Sequence, residues 1–196
     1  MTIIDLVKNL LAALTLLSHI SIIVGIIYFL FFRRKFGAVF IYFSRNGIKF
    51  AFAVSLVATL GSLFYSEIAG YAPCKLCWFQ RIFMYPEVAL LGFAAIKKDF
   101  KNILNYALSL SVIGFFISLY HNYTYYGGAL SGSCGISGLC AKRYVFSFGY
   151  ISIPLMALTG FFLITVFLFL RKKYEKTTKS ALLLKDCMQG NDRDLS

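Results

Sequence analysis

The chain has 196 residues, 59% of them hydrophobic and 18% aromatic, and a formal net charge of +12. That apolar content excludes an ordinary soluble domain and points to an integral membrane protein. The charge does not indicate nucleic acid, because the basic residues gather in segments that alternate along the chain instead of forming one basic face.

A helix needs about 20 mostly apolar residues to cross the hydrocarbon. Five stretches qualify, at about 10–32, 50–70, 77–96, 103–123 and 149–170. The first is too long for the roughly 7–15-residue apolar core of a signal peptide and has no small-x-small cleavage site after it. It ends on Phe31-Phe32-Arg33-Arg34-Lys35, a stop-transfer flank, and is read as a retained helix. After it come Arg45 and Lys49; between the third and fourth stretches come Lys97, Lys98 and Lys101. After the fifth come Arg171, Lys172, Lys173, Lys176, Lys179, Lys185 and Arg193. The positive-inside rule puts these segments in the cytoplasm. Lys8, Lys75, Arg81, Lys142 and Arg143 are left for the other face, so the N-terminus is expected outside and the C-terminus inside.

On that topology the loops at 71–76 and 124–148 both lie outside. They carry Cys74 and Cys77 in one place and Cys134 and Cys140 in the other, on the face where disulfides persist. Cys187 falls in the cytoplasmic tail and is expected to be an incidental reduced thiol. Three chemistries suit four outer cysteines: structural disulfides, a zinc site and redox exchange. Zinc is disfavoured by the missing second C-x-x-C and by the spans between the pairs. A C-x-x-C staple closes a tiny ring and constrains little of the unfolded chain. The start of a helix stabilises a thiolate instead.

The run Pro73-Cys74-Lys75-Leu76-Cys77-Trp78-Phe79-Gln80-Arg81 sets out this pair. Proline suits the entry to a helix, and cysteines three apart share one side of it. Arg81 follows Cys77 by four and lies on the same face. There a guanidinium lowers a thiol pKa and attracts a developing anion; an interfacial anchor is the competing role. The second pair sits in the glycine-rich stretch Gly127 to Cys140. Such a loop can present a disulfide to a partner's thiolate or can simply be clipped by it.

The residues Ser66-Glu67-x-x-Gly70-Tyr71-x-Pro73-Cys74-x-Leu76-Cys77-Trp78-x-Gln80-Arg81-Ile82-x-Met84-Tyr85-Pro86 resemble the DsbB family of disulfide bond formation proteins, in its BdbC-like branch. Tyr120-His121 and Ile153-Pro154 continue the likeness, which covers about residues 50–170. The resemblance implies a quinone-linked enzyme, a protein-disulfide oxidoreductase that reoxidises an extracytoplasmic thioredoxin-fold thiol oxidase (DsbA-like). Its electrons go to the membrane quinone pool, as ubiquinone or menaquinone. By position, Cys74 and Cys77 become the quinone-side pair and Arg81 the quinone-interacting arginine. Cys134 and Cys140 become the partner-facing pair, and His121 a candidate for the quinone pocket or for proton handling. The same resemblance implies that the partner attacks Cys134, that Cys140 attacks Cys74, and that Cys77 is left beside the quinone. No metal and no nucleic acid are expected.

The expected architecture is all-α: a four-helix transmembrane redox bundle plus one extra N-terminal transmembrane helix. Residues 1–49 hold that helix and a basic cytoplasmic loop, 50–170 the redox core and 171–196 a basic cytoplasmic tail. The chain departs from the family pattern in its added helix and its short second outer loop. Glu87 also stands about midway along the third span, after Pro86, where an ionisable residue is a functional candidate. His19 is read as structural. Two other readings remain at this point: a quinone-linked enzyme similar to the vitamin K epoxide reductase family, and a membrane scaffold with clipped loops.

Overall fold

The computed structural model describes residues 3–31, 37–97, 101–126, 145 and 149–193. All regular elements among them are helices: α1 Ile3–Phe31, α2 Gly37–Arg45, α3 Gly47–Leu63, α4 Lys75–Lys97, α5 Lys101–Tyr126 and α6 Ile153–Arg193. A π-helical turn, Phe64–Ile68, extends α3. Five helical stretches are long and apolar enough to cross a membrane: Ile3–Tyr28, Gly47–Ile68, Lys75–Ile96, Asn102–Tyr126 and Ile153–Ser180. The protein is a multi-pass membrane protein with an all-helical bundle.

The bundle core is a ring. α3 packs on α4, α4 on α5, α5 on α6, and α6 closes back on α3. Its centre is apolar, with Ile48 and Ala51 of α3, Leu91 and Ala94 of α4, Leu104 and Ala107 of α5, and Phe161, Ile164 and Leu168 of α6. Lipid is as apolar as these side chains, so close fit rather than exclusion from water holds such helices together. Two glycines make the fit possible. A Cβ on Gly114 would stand 2.3 Å from the Phe161 ring, and one on Gly47 would stand 2.7 Å from the Phe167 carbonyl oxygen.

Three features depart from the sequence expectation. The basic segment after the first span contains α2, which packs against α6. Phe43 and Phe50 gather on Phe167 there, with ring centroids 6.2 and 5.6 Å away. The last helix does not stop where its hydropathy does. It continues through Lys, Glu, Leu and Ala, all good helix formers, to Arg193. α1 starts earlier than its apolar run, with a 3.5 Å ion pair between Lys8 and Asp5 in its opening turns.

Gly70, at φ +67, ends the π-helical turn in the left-handed region that glycine alone adopts freely. The chain then runs through Tyr71-Ala72-Pro73 into α4. Pro86 sits inside α4. Glu87 follows it, fully buried and adjacent to Ser111 on α5.

Candidate active site

Cys74 is the residue that starts α4. Its carbonyl accepts the first helical bond, from Trp78 N–H at 3.1 Å. Its sulfur accepts the Cys77 N–H at 3.4 Å. That is the role an N-cap side chain plays, here filled by sulfur in place of the usual oxygen. Pro73 stands one position outside the helix. The spacing of three now has a mechanical meaning: it delivers the Cys77 amide and thiol to the Cys74 sulfur in one turn.

The two sulfurs share a hydrogen bond at 3.1 Å, as free thiols. A disulfide bond is about 2.05 Å long, so bond formation takes roughly 1 Å of approach. Cys74 is 5% exposed. His121, itself buried, comes from the C-terminal end of α5 to place Nε2 3.6 Å from Cys74 Sγ. The Cys77 hydrogen bond holds the Cys74 thiol well below the ordinary thiol range; burial opposes this and His121 adds to it. The sequence reading put the favoured thiolate at Cys77 beside Arg81. That expectation concerns the stage at which Cys74 is bonded to Cys140; in the reduced dithiol described here the Cys77 N–H and His121 Nε2 converge on Cys74.

Arg81 does not lie idle at the interface. It crosses to α3, where Nε donates to Ser62 Oγ at 2.9 Å and Nη2 to the Ser62 carbonyl at 3.0 Å. Its guanidinium carbon also lies 5.4 Å from the centre of the Trp78 ring, within cation–π range. The planar fork is therefore fixed by two acceptors on one residue, a geometry that lysine cannot reproduce.

Cys74, Cys77, Arg81 and His121 all line one cavity of about 370 Å³, within the range of small-molecule sites. Its walls are mostly apolar, including Val54, Val57, Met84 and Leu163. Three polar atoms on the same lining, Tyr65 Oη, Tyr85 Oη and His121 Nδ1, are buried and have no hydrogen-bond partner among the described residues. Buried polar groups are normally paired. A flat apolar molecule with carbonyl oxygens at its edges would fill the volume and accept from the two tyrosine hydroxyls, so the residues fit a quinone. The donor set also suits a thiophilic metal ion: the Cys74, Cys77 and His121 ligand atoms lie within 4.8 Å of one another, and two sulfurs with an imidazole are zinc-type ligands.

The structure thus brings four of the six expected site residues together. The other two, Cys134 and Cys140, lie outside the described residues. Sequence reasoning missed Ser62. No motif in the sequence marks it or announces a contact with α4. It also missed Gln80, which donates to Ser118 at 3.1 Å and ties α4 to α5 just below the dithiol.

Residues 44–171 match the family model described as "Disulfide bond formation protein DsbB". The chain is 48% identical over 118 residues to "Probable disulfide formation protein C 1" of Bacillus cereus, covering 59% of this chain and 84% of that protein. It is 43% identical over 136 residues to "Disulfide bond formation protein C" of Bacillus subtilis, covering 65% and 96%. Against "Probable disulfide formation protein" of Metapseudomonas resinovorans the identity is 34% over 137 residues, covering 65% and 90%. No solved structure matches the chain at a significant level.

Proposed function

Since the chain belongs to the DsbB family of disulfide bond formation proteins, we propose that it is a dithiol:quinone oxidoreductase. It reoxidises a thioredoxin-fold thiol oxidase outside the cytoplasm. The observation that carries this reading is the Cys74–Cys77 pair opening, together with Arg81, onto an apolar cavity with unpaired polar atoms.

The route is thiol–disulfide exchange. A thiolate of the reduced partner attacks Cys134 in a Cys134–Cys140 disulfide and releases Cys140. Cys140 attacks Cys74 in the Cys74–Cys77 disulfide and releases Cys77. The partner's second thiol then closes the partner disulfide and frees Cys134, which re-forms its bond with Cys140. Cys74 and Cys77 are left as the reduced pair. Their reoxidation gives up two electrons and two protons, which a quinone takes as the terminal acceptor. Arg81, held by Ser62, stabilises negative charge developing at the cavity wall. The donors at Cys74 favour its thiolate, the form that must be present before the pair can close again. His121, on Cys74, is placed to take or return a proton there.

Both cysteine pairs are assigned to the extracytoplasmic face and the C-terminus to the cytoplasm, on the alternation of basic segments. The test is the purified protein in lipid discs with a reduced thioredoxin-fold dithiol protein and quinone. Loss of two partner thiols for each quinone reduced is expected, and Cys74→Ser should abolish both. Partner oxidation without quinone consumption, or no reaction with either quinone class, would refute the reading.

A further inference from the structure

The family match starts at residue 44, so α1 is an addition to the matched region. It nevertheless enters the site. Leu11, Leu14, Thr15 and Ser18 all line the cavity of Cys77 and Arg81, at the i, i+3, i+4, i+7 spacing of a single helix face. Leu11 fills the space over Gly61, where a Cβ would meet Leu11 Cδ1 at 3.1 Å. Leu14 stands at the edge of that face, 41% exposed, and the stripe beside it, with Leu10, Leu17, Ile20 and Val24, is exposed toward lipid.

α1 is lightly held. Only 11% of its most apolar stretch is buried, less than in any of the other four spans. A polar tie fastens it near the cavity mouth. His19 Nε2 lies 2.9 Å from Thr159 Oγ1, and His19 Nδ1 lies 3.2 Å from Tyr150 Oη. Thr159 Oγ1 donates to the Leu155 carbonyl, so it accepts from His19 Nε2–H. Nδ1 is then the acceptor for the Tyr150 hydroxyl. The two rings also stack, with centroids 5.9 Å apart. One histidine therefore ties α1 both to α6 and to the turn preceding it.

An acceptor dissolved in the bilayer has to reach the dithiol from the side. The wall it meets that lies outside the matched region is the one with the least buried surface holding it in place. We propose that α1 is the acceptor-selecting wall of the redox cavity. Leu11, Leu14, Thr15 and Ser18 set the fit of the quinone, and His19 latches the wall on Thr159 and Tyr150. This rests on the reading above that a quinone occupies the cavity.

The full chain in lipid discs is assayed with dithiothreitol as the electron donor and two acceptors, a short-tailed and a long-tailed quinone. One added side-chain bulk in an apolar pocket changes discrimination by about tenfold or more. Leu14→Trp is therefore expected to raise the acceptor KM by about tenfold, with the donor dependence unchanged. Leu17→Trp, on the lipid face, should behave as wild type. His19→Ala should loosen the wall and reduce the preference between the two acceptors by about threefold, without changing the donor dependence. Should Leu14→Trp not fold, Leu14→Ala enlarges the same wall and should shift the acceptor KM as well. Folded α1 variants whose acceptor KM stays within about twofold of wild type would overturn the proposal. A wild-type protein that reduces neither quinone would instead remove the functional reading beneath it.

Discussion

Ser62→Ala isolates what orients Arg81. The serine offers the guanidinium two acceptors, its hydroxyl at 2.9 Å and its carbonyl at 3.0 Å. The alanine variant removes the first and keeps the second. A hydrogen bond to a charged group contributes about 1.5–3 kcal/mol. Arg81 is only half-buried and retains one bond, so about 1 kcal/mol of orientation is at stake. That corresponds to roughly a fivefold drop in kcat/KM for the quinone. Arg81→Ala loses the whole charge and should cost on the order of 100-fold, the scale of a lost oxyanion donor. If Ser62 acts only through Arg81, the double variant will match Arg81→Ala alone. Steady-state kinetics with varied quinone at saturating dithiol measures all three. An unchanged Ser62→Ala rate would refute the reasoning. So would a Ser62→Ala loss that persists at full size in the Arg81→Ala background.

Three further outcomes are expected. Gly114→Ala drives a Cβ to 2.3 Å from the fully buried Phe161 ring and should lower stability by about 1–3 kcal/mol, while Gly25→Ala, with nothing within 4 Å, should not; detergent unfolding midpoints compare them, and equal midpoints would mean α5 and α6 do not meet at Gly114. In the reduced protein, iodoacetamide should modify Cys74 at pH values where an ordinary thiol has slowed. Its folded pKa is lowered by the Cys77 hydrogen bond, so its contribution to stability is present above the unfolded thiol value and is lost as pH falls through the folded one; Cys77→Ala should return the alkylation profile upward, and an unmoved profile would contradict the assignment. Cadmium should inhibit the reduced enzyme through Cys74, Cys77 and His121. His121→Ala should weaken that inhibition by at least the roughly tenfold that loss of an outer-shell partner costs; inhibition of equal strength would exclude His121 as a ligand.

The five spans and the dithiol were legible because their signals are local. Twenty apolar residues, or two cysteines three apart before a helix, need no knowledge of what lies across the bundle. Their ends were less legible. Arg171–Arg193 is polar, so hydropathy ends the last helix where backbone propensity continues it. α2 was hidden because aromatic residues between arginines read equally well as a loop. The cross-chain contacts were not legible at all. His121 meets Cys74 across 47 residues, and Arg81 turns from the face it shares with Cys77 to Ser62, 19 residues earlier. α1 shows why hydropathy fails here. Its cavity face mixes Leu11 and Leu14 with Thr15 and Ser18 while its lipid face is apolar, so periodicity, which in a water-soluble helix marks the apolar side as the inside, misleads here.

The 41 residues of α6 make a rod of about 60 Å at 1.5 Å per residue, twice the roughly 30 Å of hydrocarbon. Its middle is pinned where Arg171 donates to the Arg45 carbonyl at 3.0 Å and pairs with Glu175 at 3.2 Å. Beyond Ser180 the helix runs on without a break in its backbone. The basic tail therefore has a rotational phase set by the redox bundle, like a pointer on a shaft. One residue inserted after Lys179 would swing everything beyond it by about 100° around the axis, and seven would bring it nearly back. A partner that docks on one side of the tail would register each step of that dial.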